Sequence, residues 1–411
     1  MTVYGRTGSA QCYAVRDFLY RNDVPFKWVE VVNDESARAI GVDDSVAEER
    51  LPICVFSDGT RLERPTIRQI SEKLGWFGDP SLTEYDLAIY GAGPAGLSAA
   101  VYGASEGLKT VVIERWSVGG QASSSPKIEN YLGFPQGISG AELAERAREQ
   151  ACRFGAEILI AREGIRGDFS ARKRVGYLSD GTKVVARSAI CATGIEYRRL
   201  AVPNEERFRG AGVYYGAGAS EAQLCVGHHV VVVGGGNSGA QAALHFSKYA
   251  PRVTLAVRGD SLKSTVSAYL IDRIYSTKTI EVLTRTEVAA LEGDKTLEAV
   301  VLVDNQTGEQ RRIQTRWLFA CIGGSPRTEW ANEAGLIRDE AGYLVTGPDL
   351  LQAGRAPERW PLDRLPYYLE TNVPGLFAAG DVRHDSVKRC ASAVGEGAMA
   401  VMFVHLYLAT G

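Results

Sequence analysis

The stretch Asp86-Leu87-Ala88-Ile89-Tyr90-Gly91-Ala92-Gly93-Pro94-Ala95-Gly96 decides the fold. It predicts a buried strand that runs into a GxGxxG turn, followed by a helix of small residues from Leu97. Gly91 permits the tight turn, Gly93 lets backbone N–H groups approach a pyrophosphate, and Gly96 lets the helix pack closely on the strand. Because a helix N-terminus attracts phosphate, Pro94 and Ala95 also belong to this predicted dinucleotide site.

The segment after this helix supplies the second element of a dinucleotide site. A strand over Thr110-Val111-Val112-Ile113 ends at Glu114, about 20 residues beyond the glycine turn. An acid at this distance is placed to bind ribose hydroxyls. Strand, turn, helix and acid together indicate a cofactor site, whereas a lone GxGxxG would indicate only a tight turn.

A second complete fingerprint follows roughly 140 residues later. His229-Val230-Val231-Val232-Val233 runs into Gly234-Gly235-Gly236-Asn237-Ser238-Gly239 and then into a small-residue helix. The next strand, Val253-Thr254-Leu255-Ala256-Val257, ends at Arg258, where an NAD-specific fold usually places an acid. An arginine there can pair with a 2′-phosphate, and the alternative is a surface arginine at a strand end.

Several further motifs closely resemble thioredoxin reductase, and the resemblance runs from about residue 84 to the end. They are Gly119-Gly120-Gln121, Ile128-Glu129-Asn130-Tyr131-Leu132-Gly133-Phe134-Pro135, Ala192-Thr193-Gly194 and Gly375-Leu376-Phe377-Ala378-Ala379-Gly380-Asp381-Val382. The resemblance implies FAD at the first fingerprint, with Gln121 and Asn130 beside the flavin ring. It also implies that Asp381 meets the ribitol–phosphate region and that backbone at Arg389-Cys390 faces the pyrimidine edge of the ring.

The second nucleotide site departs from the thioredoxin reductase pattern. That family has HRRxxxR where this chain has Val257-Arg258-Gly259-Asp260-Ser261-Leu262-Lys263. One basic residue is replaced by Gly259, and Lys263 takes the place of the final arginine. Lysine binds phosphate as a point charge and not bidentately, so the expected preference for NADPH is weakened and NADH stays possible.

The largest departure lies at the segment where thioredoxin reductases have CATCD. The matching stretch is Val213-Tyr214-Tyr215-Gly216-Ala217-Gly218-Ala219-Ser220. Both cysteines of the family are replaced, by Gly216 and Ala219, so no sulfur here can reach a flavin. Tyr214 and Tyr215 are candidates to cover the ring, although strand alternation would bury one of them.

Residues 1–80 resemble a glutaredoxin across their whole length. The family places CxxC at the start of its first helix, and this chain has Ser9-Ala10-Gln11-Cys12 there. Serine is a good helix N-cap and cannot act as the thiol nucleophile, so we expect a non-catalytic domain. The resemblance also implies a cis peptide bond at Leu51-Pro52.

Composition narrows the class of protein. The chain has 411 residues with 45% hydrophobic residues and a net charge of −3, and no basic stripe indicates nucleic acid or anionic lipid as a partner. No two of the seven cysteines are within four positions, which excludes CxxC and zinc-knuckle motifs and predicts no metal site. No apolar run approaches 18 residues, and no signal peptide is visible, so we expect a cytoplasmic protein.

The sequence therefore predicts an α/β protein whose N-terminal thioredoxin-like domain precedes two Rossmann-like domains, the second inserted in the first. The expected divisions are a glutaredoxin-like domain over 1–80, an FAD domain over 84–197 and 322–411, and an NAD(P) domain over 198–321. The predicted function is an FAD-dependent oxidoreductase, a homodimer, in which hydride from NAD(P)H reaches the flavin and electrons pass directly to a small molecule or small redox protein. Two alternatives remain open: a disulfide reductase using a remote thiol such as Cys390 or Cys12, and a flavin-loaded sensor without efficient turnover.

Overall fold

The computed structural model describes residues 1–38, 40–41, 47–169 and 173–410. The chain forms two compact units. One unit comprises Met1–Thr66, Ser124–Lys127 and Tyr197–Gly323, and is called the nucleotide unit below. The other comprises Ile67–Ser123, Ile128–Glu196 and Gly324–Gly411, and is called the flavin unit. Each is described by itself.

The helices of the described residues are α1 Ala10–Arg21, α2 Asp34–Arg38, α3 Ala47–Arg50, α4 Ile67–Lys73, α5 Pro94–Ser105, α6 Gly140–Arg153, α7 Glu205–Phe208, α8 Asn237–Phe246, α9 Ala268–Ser276, α10 Trp330–Glu333 and α11 Cys390–Thr410. The strands are β1 Thr2–Gly5, β2 Lys27–Glu30, β3 Ile53–Val55, β4 Arg61–Glu63, β5 Tyr85–Tyr90, β6 Thr110–Glu114, β7 Glu157–Ile160, β8 Gly164–Asp168, β9 Arg174–Leu178, β10 Lys183–Cys191, β11 Glu196–Tyr197, β12 Val213–Tyr215, β13 His229–Val233, β14 Arg252–Ala256, β15 Ile280–Leu283, β16 Thr286–Glu292, β17 Ala299–Asp304, β18 Gln310–Gln314, β19 Leu318–Ala320, β20 Gly324–Ser325 and β21 Leu376–Ala378.

The flavin unit is built on one large sheet. Its strand order is β7-β6-β5-β10-β9-β8, and β21 also pairs with β10. The central pairs β5–β6, β6–β7, β5–β10 and β10–β21 are parallel. Parallel strands buried on both faces need continuous apolar sequence, which explains why every residue of Thr110–Glu114 is buried. The carboxyl ends of β5, β10 and β21 meet at one edge, where cofactor sites of such sheets form.

The nucleotide unit contains a second parallel sheet with the order β12-β19-β13-β14-β15. A three-stranded antiparallel sheet, β16-β17-β18, lies in the chain between β15 and β19 of the parallel sheet. The valines of β13 are buried in the core, as the uninterrupted apolar run predicts. The glycine turn after β13 therefore leads from a buried strand into α8, as it does from β5 into α5 in the flavin unit.

Residues near the N-terminus form a small sheet with the order β2-β1-β3-β4. The β1–β2 pair is parallel, whereas β1–β3 and β3–β4 are antiparallel. The hydroxyl of Ser9 accepts the N–H of Cys12 at 3.4 Å, so the predicted N-cap is confirmed. The Leu51–Pro52 peptide bond is cis, which confirms that prediction.

Helix α11 corrects the expectation drawn from uninterrupted apolar runs. Among the described residues this one helix is long and apolar enough, by length and composition, to cross a membrane. The expectation counted consecutive apolar residues and missed this helix because Ser392, Glu396 and His405 interrupt its apolar sequence. Composition alone is weak evidence for a membrane span, because core helices share it. One face of α11 packs on α5: Gly397 lies against the carbonyl of Ala95, and the hydroxyl of Ser98 donates to Val394 O at 2.7 Å.

Candidate functional site

The first glycine turn has a backbone that only glycine permits at two positions. Gly91 has a φ of +105°, and an added Cβ would collide with the carbonyl oxygen of Ala192. At Gly96 an added Cβ would collide with the carbonyl oxygen of Gly91. At Gly93 an added Cβ would meet nothing within 4 Å, so the space in front of the turn is open. This open cradle precedes α5, whose first residue is Pro94 and whose second, Ala95, is buried.

Glu114 fixes the other side of this turn. Its carboxylate accepts the backbone N–H groups of Ala92 and Trp116, each at 2.8 Å, and the side chain is buried. A carboxylate has about four acceptor positions, so two remain for ligand hydroxyl groups. The predicted ribose-binding acid therefore lies beside the glycine turn, as its spacing indicated.

Two predicted flavin-side segments come close to this cradle. Gly120, with a φ of +54°, lies so near Gly93 that an added Cβ would be 3.1 Å from the Gly93 Cα. The side-chain amide of Gln121 donates to Ile195 O at 2.6 Å, which places it next to Thr193 and Gly194. Thr193 is exposed, and Gly194 has a φ of +64°.

Asn130 lies in the loop between β6 and α6 and is exposed. Its loop is tied back by the bridge between Ile128 and Ile138, whose backbone N–H groups donate to each other's carbonyls at 2.7 and 3.1 Å. The placement of Asn130 against a ring stays a prediction.

Gly380 and Asp381 join the same site. An added Cβ at Gly380 would be 2.9 Å from the Cβ of Ala95, so this segment lies against the start of α5. The N–H of Gly380 donates to Glu396 Oε2 at 2.6 Å, and Arg383 Nη2 donates to Glu396 Oε1 at 2.7 Å. The sequence reasoning missed Glu396, although a single carboxylate within the apolar helix Cys390–Thr410 was a signal for it.

Burial raises the pKa of the Asp381 carboxyl; the neighbouring Lys388 ammonium lowers it and Glu396 raises it. Asp381 is only partly exposed. A half-buried carboxyl beside a helix N-terminus suits a ligand hydroxyl group as hydrogen-bond partner. The start of α11 lies nearby, because Lys388 Nζ donates to Asp381 O at 3.0 Å.

Arg389 and Cys390 stand at the N-terminus of α11. Arg389 is exposed, and Cys390 is half-buried. Burial raises the pKa of the Cys390 thiol, and the nearby Asp381 carboxylate raises it further. A reactive thiol needs the opposite shift, so this environment does not favour a thiolate at Cys390.

The second glycine turn repeats the geometry of the first in the nucleotide unit. Gly234 has a φ of +145°, and an added Cβ would collide with the carbonyl oxygen of Cys321. Gly236 caps α8 with nothing within 4 Å of an added Cβ. Asn237 Oδ1 accepts the Ser267 N–H at 2.8 Å, and Ser238 is exposed at the start of the helix. Open space in front of a helix N-terminus suits a pyrophosphate.

Two basic side chains follow β14 at the surface. The Arg258 side chain is 85% exposed, and its nearest acidic neighbour is Glu287, with Nε and Oε1 3.9 Å apart. Lys263 is exposed as well. Between them, an added Cβ at Gly259 would meet nothing closer than Ser261 O at 3.8 Å. The Arg258 and Lys263 side chains are therefore accessible to a ligand phosphate, and the open space at Gly259 leaves room for a third basic side chain.

The segment over residues 213–220, where the sequence predicts that the family's dithiol is replaced, has a left-handed backbone at Gly216. Gly216 has a φ of +88°, and an added Cβ would be 2.5 Å from the hydroxyl oxygen of Tyr197. The Tyr197 hydroxyl lies 3.2 Å from that of Ser124, and its ring stacks on that of Tyr215 at 6.3 Å between centroids. The tyrosine hydroxyl therefore occupies the space that a side chain at 216 would need.

The prediction for Tyr214 as a cover of the flavin is wrong. Tyr214 is 1% exposed and stacks on Trp317 and Phe319 in the core of the nucleotide unit, so its ring is already enclosed. Tyr215 points to the other face of the strand, is half-buried, and donates its hydroxyl to Glu205. Strand alternation predicted that one of the two is buried, and the structure identifies which.

The seven cysteines are free thiols. Burial raises the pKa of Cys54 and of Cys321 to about 12, and it also raises those of Cys12 and Cys225. Cys225 is fully buried and packs in the core of the nucleotide unit. Over the described part of the chain, no group of three His, Cys, Asp or Glu side chains is arranged to hold a metal ion.

Comparisons with known proteins agree with this geometry. The profile of the family "Pyridine nucleotide-disulphide oxidoreductase" matches residues 85–397. The chain is 35% identical over 329 residues to the thioredoxin reductase of Treponema pallidum, covering 80% of this chain and 98% of that protein. Among solved structures, thioredoxin reductase of T. acidophilum is 31% identical with a TM-score of 0.70, covering 80% of this chain and 99% of that one. Lactococcus lactis thioredoxin reductase is 29% identical, also with a TM-score of 0.70, covering 80% and 100%.

A protein with two glycine turns, each between a buried parallel strand and a helix, belongs to the dinucleotide-binding oxidoreductases. This chain belongs to the pyridine nucleotide-disulphide oxidoreductase family, and within it to the part that resembles thioredoxin reductase. The matched region begins at residue 85, so residues 1–84 lie outside it.

Proposed function

We propose that this chain is an FAD-dependent oxidoreductase that takes hydride from NAD(P)H and delivers electrons to an acceptor without a protein disulfide. The observation that carries the proposal is at Gly216, where the backbone is left-handed and an added Cβ would be 2.5 Å from the Tyr197 hydroxyl oxygen. A cysteine at the position of the first sulfur would therefore be strained unless Tyr197 moved, which supports transfer without a protein disulfide.

The residues of the flavin unit fit FAD. The open cradle at Gly93 suits the pyrophosphate, since both Gly91 and Gly96 hold the turn close to neighbouring backbone. Glu114 keeps two acceptor positions for ribose hydroxyls, and Asp381 is placed for a hydroxyl of the ribitol. When bound, FAD supplies the capacity to accept a hydride and to release its electrons onward.

The chain's own residues would then hold and orient the two nucleotides. Gly234, Gly236, Asn237 and Ser238 would bind the pyrophosphate of NAD(P)H at the start of α8. Arg258 and Lys263 would bind the 2′-phosphate of NADPH, which makes NADPH the favoured donor and leaves NADH usable. The elevated pKa of the buried thiols keeps them protonated, so they do not compete as nucleophiles.

Three further assignments belong to the same proposal. Residues 1–80 form a glutaredoxin-like domain without its nucleophile, because Ser9 serves as the cap of α1. The protein works in the cytoplasm. It is a homodimer, for which the exposed side chains of Met399, Met402 and Leu406 on α11 offer an apolar face.

Rapid mixing of the FAD-loaded protein with NADPH tests the proposal. Fast bleaching of the flavin absorbance is expected, and its absence would favour a sensor without turnover. A parallel assay supplies NADPH, thioredoxin and insulin, and no insulin reduction is expected. A Cys390→Ala variant serves as the companion: insulin reduction by the parent that is lost in this variant would identify a remote thiol and refute the proposal.

A further inference from the structure

Within the nucleotide unit, a buried ion pair joins helix α1 of the N-terminal domain (Met1–Thr66) to the part formed by Tyr197–Gly323, which is called the nucleotide domain below. Arg16 Nε and Nη2 donate to the two carboxylate oxygens of Glu221 at 3.2 and 2.5 Å. The two side chains are 2% and 0% exposed. The Arg16 guanidinium also lies over the ring of Trp28, 4.2 Å from its centroid. Separating these elements would leave a charge in an apolar core, so the pair fixes one element on the other.

Aromatic and backbone contacts extend the same interface. The rings of Tyr13 and Tyr214 meet edge to face, with centroids 4.8 Å apart. Tyr214 in turn stacks on Phe319, so Tyr13 packs against the core of the nucleotide domain itself. An added Cβ at Gly210 would be 2.9 Å from the Cα of Ala10, which shows how closely the two backbones approach. The two domains therefore share one packed interface.

The interface lies around the segment that replaces the dithiol. Gly210 and Tyr214 precede Gly216, and Glu221 follows Ala219. Ala10, Tyr13 and Arg16, which make these three contacts, all lie in the first two turns of α1. The glutaredoxin resemblance places the family's nucleophile at this end of the helix.

The N-terminal end of α1, where the glutaredoxin family has its CxxC motif, carries no reactive sulfur. Ser9 holds the first position of the motif, and Cys12 is fully buried. Burial raises the pKa of the Cys12 thiol, an effect that exceeds the opposing hydrogen bond from Ser9. The start of α1 therefore offers no thiol to the segment that follows Tyr214.

We infer that the described residues of the stretch 1–66 form a fixed, redox-silent cover on the nucleotide domain, and that the electron acceptor is a small organic molecule and not a protein disulfide. The inference rests on the proposed function. A protein partner approaching residues 214–221 from this side would have to displace a domain held by covalent linkage, and linkage raises the effective concentration of the cover far above that of a free competitor. With a quinone as acceptor the reaction balances as NADPH + H⁺ + quinone → NADP⁺ + hydroquinone.

Hydrogen-exchange mass spectrometry tests the cover without relying on turnover. In the full-length protein, peptides spanning 210–225 should be protected. Arg16→Glu places a second acid against Glu221 and should accelerate their exchange by about 100-fold or more, because breaking a buried pair is strongly destabilising. Lys27→Glu makes the same change of charge at an exposed position of β2 and should leave these peptides as in the parent.

Should Arg16→Glu fail to fold, Tyr13→Ala keeps the ion pair, removes the edge-to-face contact with Tyr214 and the packing beside Gly210, and should raise exchange of the same peptides to a smaller extent. Equal exchange of 210–225 in the parent and in the folded variants would overturn the cover.

The acceptor is tested on the full-length FAD-loaded protein with 1,4-naphthoquinone and with oxidised thioredoxin. Quinone turnover without thioredoxin reduction is expected, and thioredoxin reduction at a comparable rate would overturn the inference. If NADPH reduces neither the flavin nor any acceptor, the proposed function fails while the exchange result still decides the cover.

Discussion

Replacing Gly216 by alanine should destabilise the nucleotide unit more than the same replacement at Gly227. Both glycines are in the left-handed region, with φ of +88° and +79°. An alanine in that conformation costs about 1–2 kcal/mol at either position. At Gly227 an added Cβ meets nothing within 4 Å, so this backbone cost should be the whole effect.

At Gly216 the new Cβ would be 2.5 Å from the Tyr197 hydroxyl oxygen and 2.9 Å from its ring carbon Cζ. The tyrosine must move, although it interacts with Ser124 and stacks on Tyr215. Overpacking of this kind costs about 1–3 kcal/mol, so the total loss at Gly216 should be about 2–5 kcal/mol. Tyr197→Phe removes the oxygen that is closest to the new Cβ and should therefore reduce the excess cost.

Urea unfolding followed by tryptophan fluorescence measures these free energies, and unchanged slopes against urea concentration would show that the variants unfold in the same way. The set is Gly216→Ala, Gly227→Ala, Tyr197→Phe and the double variant Gly216→Ala/Tyr197→Phe. Equal losses at Gly216 and Gly227, or additive losses in the double variant, would refute the idea that the tyrosine fills the place of a side chain at 216.

Two other variants test the candidate site, and a third tests an ion pair on β15. The open space at Gly259 leaves room for an arginine side chain. Gly259→Arg should raise the preference for NADPH over NADH by about tenfold or more in kcat/KM, since one charge-assisted hydrogen bond to the 2′-phosphate is gained. An unchanged ratio would contradict the 2′-phosphate assignment. Glu114→Ala removes the acceptor of two backbone N–H groups and should yield protein with little bound FAD, measured by absorbance after purification. The Arg311 and Arg252 guanidinium groups, with Arg311 contributing most, lower the pKa of Glu281 from about 4.5 to about 2. The ionised Glu281 carboxylate therefore stabilises the fold above pH 4.5, and this stabilisation is lost as the pH falls through 2. Glu281→Gln should thus be less stable than the parent at neutral pH and should lose less stability than the parent on acidification. Thermal unfolding at a series of pH values measures both effects.

The two nucleotide turns were readable from the sequence because their chemistry restricts each position. A backbone that must approach a pyrophosphate needs glycine, and the acid after the second strand must end at the same sheet edge. Gly91, Gly96 and Gly234 accordingly lie where an added Cβ would collide with backbone. Glu114 is held by the turn itself.

What the sequence did not reveal depends on contacts between distant segments. Arg16 and Glu221 are 205 residues apart, and neither belongs to a motif. Alternation in β12 predicted one buried tyrosine but not that the stack of Trp317 and Phe319 would enclose Tyr214. Helix α11 escaped the count of apolar runs because Ser392, Glu396 and His405 interrupt its apolar residues.

The central claim is that electrons pass to the acceptor without a protein disulfide, and an anaerobic reductive titration tests it most directly. FAD-loaded protein is titrated with dithionite while the flavin absorbance is followed. A chain whose seven cysteines are free thiols should take up two electrons per FAD and no more. Uptake of four electrons per FAD would reveal a redox-active disulfide and contradict the account.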